Sequence, residues 1–251
     1  MLDRARVFLD LETTGATAHA DRITEIGLVE VDRGQHLGEW SSLVNPERPI
    51  PQMIESLTGI SDAMVADAPT FAELAHDLYA RLAGKTLVAH NARFDYSFLQ
   101  SEFRRVGLKY APDVLCTVRL SRRLFPQERR HNLDSLIARH GLSCDNRHRA
   151  LADARVLWDF TQRIHRDISH ADIGSAVAEQ LRKPQLPSGL PADLPEQLPE
   201  APGVYAFFSA DDVALHVGQS TNLRTRILSH FGTGRRPAWH AATTIARVEW
   251  E

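Results

Sequence analysis

Two cysteines in 251 residues, Cys116 and Cys144, are too few for a disulfide framework, and no short metal-type spacing joins them. A reduced, cytoplasmic compartment is the expectation. No stretch reaches the roughly 18 apolar residues needed to cross a bilayer, and Met1 to Arg6 open no apolar run of signal-peptide length. Neither export nor a membrane partner is expected. An excess of positive charge is missing too: 29 Lys and Arg against 32 Asp and Glu leave a net −3. That excludes a uniformly basic chain but not a local basic face, because phosphate binding depends on where the cations sit. What is present is the composition of a globular protein, 43% hydrophobic and 24% charged, with ample material for a core.

Six of the 13 prolines fall between Pro184 and Pro202, which reads as an extended linker. The predicted organisation is therefore a globular domain over 1–168, a linker over 169–200 that is proline-rich from 184, and a second segment over 201–251. In the first domain, Val7 to Glu12, Thr24 to Val31 and His36 to Val44 read as strands joined by short turns, hence antiparallel. Helices are predicted at Phe71–Leu82, about 92–106, 118–124, 132–140 and 148–166, with strands at Thr86–His90 and Val114–Thr117. This alternation implies an α/β or α+β layer fold, with a mixed five-stranded sheet and flanking helices.

Asp10-Leu11-Glu12 lies in the first predicted strand. Residues two apart in a strand face the same side, so both carboxylates project together from an apolar segment. Such a pair repels and loses hydration unless a cation lies between its members, and a divalent metal is the usual solution; a solvated strand end is the plainer alternative. Thr13, Thr14 and Gly15 follow, either donors at a glycine where backbone can approach a ligand or an ordinary polar turn. His90-Asn91-Ala92-Arg93-Phe94-Asp95 spans a strand-to-helix passage. With Asn91 as N-cap, Asp95 falls in the first turn, where the helix dipole favours an ionised carboxylate, held there for a cation or for the helix start alone. His148 and Asp153 are five residues apart, roughly 500° of helix, so His148 is expected in the entry turn and Asp153 on the helix. The acid can then hold a metal while the imidazole reaches a water above it.

Together, Asp-x-Glu in the first strand, Asp95 opening a helix and His-x4-Asp opening the last long helix resemble the DEDDh family of 3′-5′ exonucleases. The likeness covers about residues 5–167, extends to Glu25-Ile-Gly, and is strongest to the proofreading (epsilon) subunit of bacterial DNA polymerase III and its relatives. It implies an RNase H-like fold and metal-dependent hydrolysis at DNA 3′ ends, releasing nucleoside 5′-monophosphates in repair or proofreading. It also implies two Mg²⁺ or Mn²⁺ ions, one held by Asp10, Glu12 and Asp153, the other by Asp10 with Asp95, and His148 as the base that deprotonates water. Thr13, Thr14, Gly15, Asn91 and Phe94 are the substrate-binding candidates. The implied partners are a single-stranded or frayed DNA 3′ end and a DNA polymerase or excision-repair proteins. Residues 101–150 hold 11 Lys and Arg against 5 Asp and Glu, a strand-binding face or simply solvated helix surface. An RNA-trimming exoribonuclease and a non-catalytic nucleic-acid-binding subunit are the alternatives; four carboxylates beside a polyanion argue against the second.

After the linker, Gly203-Val-Tyr205 and Leu215-His216-Val217-Gly218, with Arg226, resemble the start of a GIY-YIG nuclease domain. Five arginines and no acid but Glu249 and Glu251 follow Val213. His216 stands where the second motif has its tyrosine, Gln219 replaces a lysine, and the family's metal-binding glutamate has no counterpart. An incomplete GIY-YIG-like α/β segment without endonuclease activity is the expectation.

Overall fold

The structure, a computed structural model, describes residues 4–181, 186–191, 193–199, 201–231 and 245–251. Two compact units divide the chain, Met1–Leu181 and Arg182–Glu251. The first contains strands β1 (Arg6–Thr13), β2 (Ile23–Asp32) and β3 (Gln35–Leu43), then helices α1 (Gln52–Thr58), α2 (Asp62–Val65) and α3 (Phe71–Leu82). Next come β4 (Thr86–Ala89), α4 (Arg93–Arg105), β5 (Val114–Cys116), α5 (Thr117–Leu124), α6 (Leu133–His140), α7 (Ala150–Asp167) and α8 (His170–Leu181). The five strands form one mixed sheet in the order β3-β2-β1-β4-β5, antiparallel from β3 to β1 and parallel from β1 to β5.

Strand alternation divides the core into two layers. Phe8 packs with Leu157, Phe160 and other residues of α5 to α8 on one face, while Val7, Leu9 and Leu11 pack with α3 and α4 on the other. Asp10 and Glu12 share the period of Phe8 and therefore face the α7 side. Parallel pairing of β1 with β4 ends at Phe8↔Val88, so Asp10 and Glu12 lie beyond the last paired residues, at the carboxyl end of two adjacent parallel strands. Local chemistry fixes the helix starts: Thr70 and Glu73 form a reciprocal capping box on α3, and Asn132 caps α6 through Ser135 N–H at 3.1 Å. The short helices α1 and α2, absent from the sequence reading, cover a small core of Ile50, Ile60 and Val65.

The stretch expected as linker from residue 169 begins instead with α8. Ile173, Ala176 and Val177, spaced three and four apart, bury one stripe against the α7 layer. The Gln180 side chain closes the sheet edge, accepting from Cys116 N–H at 2.9 Å and donating to the Cys116 carbonyl at 3.3 Å. The second unit holds α9 (Leu194–Gln197), β6 (Gly203–Ser209), β7 (Ala214–Ser220), α10 (Leu223–Ser229) and β8 (Ile245–Trp250), its sheet ordered β7-β6-β8 and all antiparallel. Leu190, Leu194 and Leu198, also expected in the linker, are buried in this core with Tyr205 and Phe207. Pro184, Arg235 and Arg236 lie outside the described residues. Among the described residues no helix is long and apolar enough to cross a membrane.

Candidate active site

Asp10, Glu12, Asp95, His148 and Asp153 line one cavity of 270 Å³ at the carboxyl ends of β1 and β4. Ligand atoms of Glu12, His148 and Asp153 lie within 4.8 Å of one another. Asp95 and Asp153 are almost wholly buried. Burial, then the charges of Asp95 and Asp153, push the Asp10 carboxyl well above its ordinary range. Burial and Asp153 raise Glu12 to about 7. Asp95 rises to about 8 through burial, against its own and Leu11's backbone N–H groups, which favour its ionised form. Its Oδ2 is buried without a hydrogen-bond partner among the described residues. Three of these four clustered acids, Asp10, Glu12 and Asp95, are pushed towards their neutral forms and one has an orphaned oxygen, a donor set chemically matched to divalent cations.

The segment carrying His148 and Asp153 is seated by β2. Glu25, 4% exposed, receives both Nε and Nη2 of Arg149, the latter at 2.6 Å, and its Oε2 accepts from Ala150 N–H at 2.9 Å, the first amide of α7. Two residues along, Gly27 touches the backbone of Ala150 and Leu151 so closely that any Cβ would clash. Glu25 pairs with Glu12 and Gly27 with Asp10 across the β1–β2 ladder, so the helix start lies directly beside the two strand acids. His148 precedes it at φ 61, a left-handed backbone for a non-glycine residue.

Asn91 has the same left-handed conformation, φ 61, and it does not cap α4: Ala92 is the N-cap residue and makes no side-chain cap bond. Asn91 contributes its carbonyl instead, to Phe94 N–H at 2.8 Å, which lifts its side chain free of the helix. Asn91 and Phe94 both line the cavity, whereas Thr13, Thr14 and Gly15 do not. Thr13 Oγ1 donates to the Gly15 carbonyl at 2.6 Å, Thr14 Oγ1 accepts from Arg22 N–H at 3.0 Å, and Gly15 makes room for the Asp21 carboxylate. Their hydroxyls close a turn. The sequence reading gave no role to His90, Asp134 or Arg147, which also line the cavity. Burial lowers His90 to about 4, and its Nδ1 lies 2.8 Å from Thr117 Oγ1. His90 stood in the His90 to Asp95 motif and Arg147 in the basic run over 101–150, next to His148, whereas nothing in the sequence singled out Asp134.

In the second unit, Tyr205 Oη lies 2.7 Å from His230 Nε2 and 3.4 Å from His216 Nε2. Tyr205 pairs with Gly218 across β6 and β7, and a Cβ on Gly218 would sit 2.6 Å from the phenol oxygen. Burial and Arg226 lower the His216 pKa. Tyr205, His216, Gly218 and Arg226 are thus gathered near one another, with His230 as an addition the motif reading missed.

An exonuclease family model, of the RNase T type, matches residues 7–160. The chain belongs to this exonuclease family. The chain is 36% identical over 242 residues to a Mycobacterium tuberculosis protein named as a putative bifunctional exonuclease/endonuclease, covering 92% of this chain and 38% of that one. It is 36% identical over 147 residues to the 3′-5′ exonuclease DinG of Staphylococcus saprophyticus, across 58% of this chain and 16% of the relative. The chain therefore spans well under half the length of these relatives. Among solved structures, exonuclease X in complex with 5′ overhanging duplex DNA matches with a TM-score of 0.53 and 28% identity, over 68% of this chain and 98% of that chain.

Proposed function

We propose that the chain is a metal-dependent 3′-5′ exonuclease that hydrolyses phosphodiester bonds at DNA 3′ ends and releases nucleoside 5′-monophosphates, in DNA repair or replication proofreading. The convergence of four carboxylates and one histidine on a single cavity carries this reading. Polarity follows the DinG relative, and DNA as substrate follows the exonuclease X complex. Asp10, Glu12 and Asp153 would hold one Mg²⁺ or Mn²⁺, and Asp10 with Asp95 a second. When bound there, such cations would supply Lewis-acid activation of the attacking water and charge stabilisation of the leaving 3′ oxygen. His148, on its left-handed turn, takes the water proton on a ring nitrogen, and its unusual backbone aims the imidazole into the cavity. Asn91 and Phe94 bound the substrate side, offering an amide and a stacking face to the terminal nucleotide.

For the second unit we infer a GIY-YIG-like segment. The Tyr205, His216 and His230 contact supports it, together with the bifunctional name of the relative that covers 92% of the chain.

One assay addresses both units. With 5′-labelled single-stranded DNA and Mn²⁺, a ladder shortening from the 3′ end is expected. Asp10→Ala should remove it and His148→Ala should slow it by about 10²- to 10⁴-fold. An unchanged ladder in both variants rejects the assignment, and faster trimming of a matched RNA moves the substrate to RNA. Supercoiled plasmid incubated with the Asp10→Ala chain reads the second unit: nicking that Tyr205→Phe abolishes would assign it endonuclease activity.

A further inference from the structure

Arg147 is the single lysine or arginine among the described residues that line the acid cavity. Its guanidinium spans two carboxylates of unlike setting. Nη1 pairs with Asp153 Oδ2, whose side chain is 5% exposed, and Nε donates at 2.7 Å to Asp134 Oδ1, whose side chain is 69% exposed. Arg147 itself keeps a quarter of its surface in solvent, so the fork has one buried end and one open end.

From this bridge we propose that Arg147 is a built-in counter-cation of the metal-free site. It neutralises Asp153 until a divalent ion arrives, then releases Asp153 while staying tethered to Asp134. The proposal rests on the reading of Asp153 as a metal ligand. Its physical basis is competition for one carboxylate. An ionised carboxylate buried among like charges needs a cation beside it, and of the two on offer to Asp153 a monovalent guanidinium is the weaker. The pair with exposed Asp134 is worth little by itself, which suits a tether that must hold the arm without fixing it. The rigid planar fork holds Asp153 and Asp134 at a fixed spacing from two different nitrogens, Nη1 and Nε; a lysine ammonium, compact, strongly hydrated and on a flexible stem, does not impose that spacing. Arg147 therefore lowers metal affinity and stabilises the empty protein, and both effects depend on the fork as well as the charge.

Calorimetric titration of the full chain with Mn²⁺ alone tests this, using wild type, Arg147→Gln and Arg147→Lys. Removing one competing, partly buried ion pair should tighten Mn²⁺ binding roughly three- to tenfold in Arg147→Gln. Arg147→Lys should lie nearer Gln than wild type. In chelator, Arg147→Gln should melt below wild type, and saturating Mn²⁺ should close that gap. Equal or weaker Mn²⁺ binding by Arg147→Gln overturns the proposal, as does a melting gap that Mn²⁺ leaves unchanged. A lysine variant indistinguishable from wild type overturns the bridging role and reduces Arg147 to a diffuse charge. If wild type binds no Mn²⁺ at all, the metal reading itself falls, and this proposal with it.

Discussion

Glu12 and Asp95 keep protons in the folded, metal-free protein that an unfolded chain has already released. Ordinary carboxyls ionise at about 4 to 4.5, whereas burial holds Glu12 to about 7 and Asp95 to about 8. Because their folded pKa values are raised, their contribution to stability is full below the unfolded values and is lost as pH climbs through the folded ones. Ion-paired acids such as Glu30 and Glu39, whose pKa values are lowered, act in the opposite sense but only at acid pH. Partly buried His90 and His165, each lowered to about 4, add stability as pH rises towards the ordinary imidazole value of about 6.5, so in chelator the melting temperature of the first unit should fall between about pH 6.5 and pH 8.5. Saturating Mg²⁺ or Mn²⁺ should remove that slope, and metal affinity should rise with pH across the same range, since bound carboxylates must be ionised. Asp95→Asn should flatten the slope and raise the metal-free melting temperature while abolishing turnover. A melting temperature independent of pH in chelator would mean that the acids ionise unhindered and that the cavity has no need of a cation.

Placement of the catalytic candidates is a property of elements, chiefly of how α7 starts. Asp153 and His148 reach the β1 acids because Glu25 binds Arg149 and the Ala150 amide together, and because Gly27 lets the helix backbone lie on β2. Glu25→Gln keeps one acceptor but loses the charge and half of the fork. Leaving these buried donors poorly matched should cost about 1 to 3 kcal/mol in stability. The larger expected effect is kinetic: kcat should fall on the order of tenfold or more with little change in KM, because the proposed substrate surface at Asn91 and Phe94 is untouched while the proposed base, His148, and the proposed metal ligand, Asp153, are displaced. Mn²⁺ affinity should weaken in parallel. An equal loss in every parameter, tracking only the unfolded fraction, would reduce Glu25 to a structural ion pair.

For the whole molecule, the boundary of the first unit follows burial and not proline content. Ending the chain at 168 would expose the Ile173, Ala176 and Val177 stripe's seat on α5 to α7 and unpair the Cys116 backbone from Gln180. A 1–168 fragment should be less stable than a 1–181 fragment by about 3 kcal/mol or more, measured by urea unfolding. Equal stability would make α8 dispensable. Much of the site was nevertheless legible beforehand. Two acids at period two in an apolar strand had to share a face, and His148 and Asp153, five residues apart, could not both be helical and convergent, so the histidine belonged to the turn. The threonine hydroxyls, the Asn91 cap and the Arg147 bridge were not legible, because each depends on which distant atoms fill the space around it. The order of strands, helices and acids along the chain sufficed to determine the layer architecture, the five candidate residues and the likeness to a nuclease family, since those rest on spacing and side-chain chemistry. Which acids stay protonated, which glycine admits a helix backbone and which arginine occupies the place of a cation were decided only by tertiary structure, because burial and charge proximity arise only once remote segments meet.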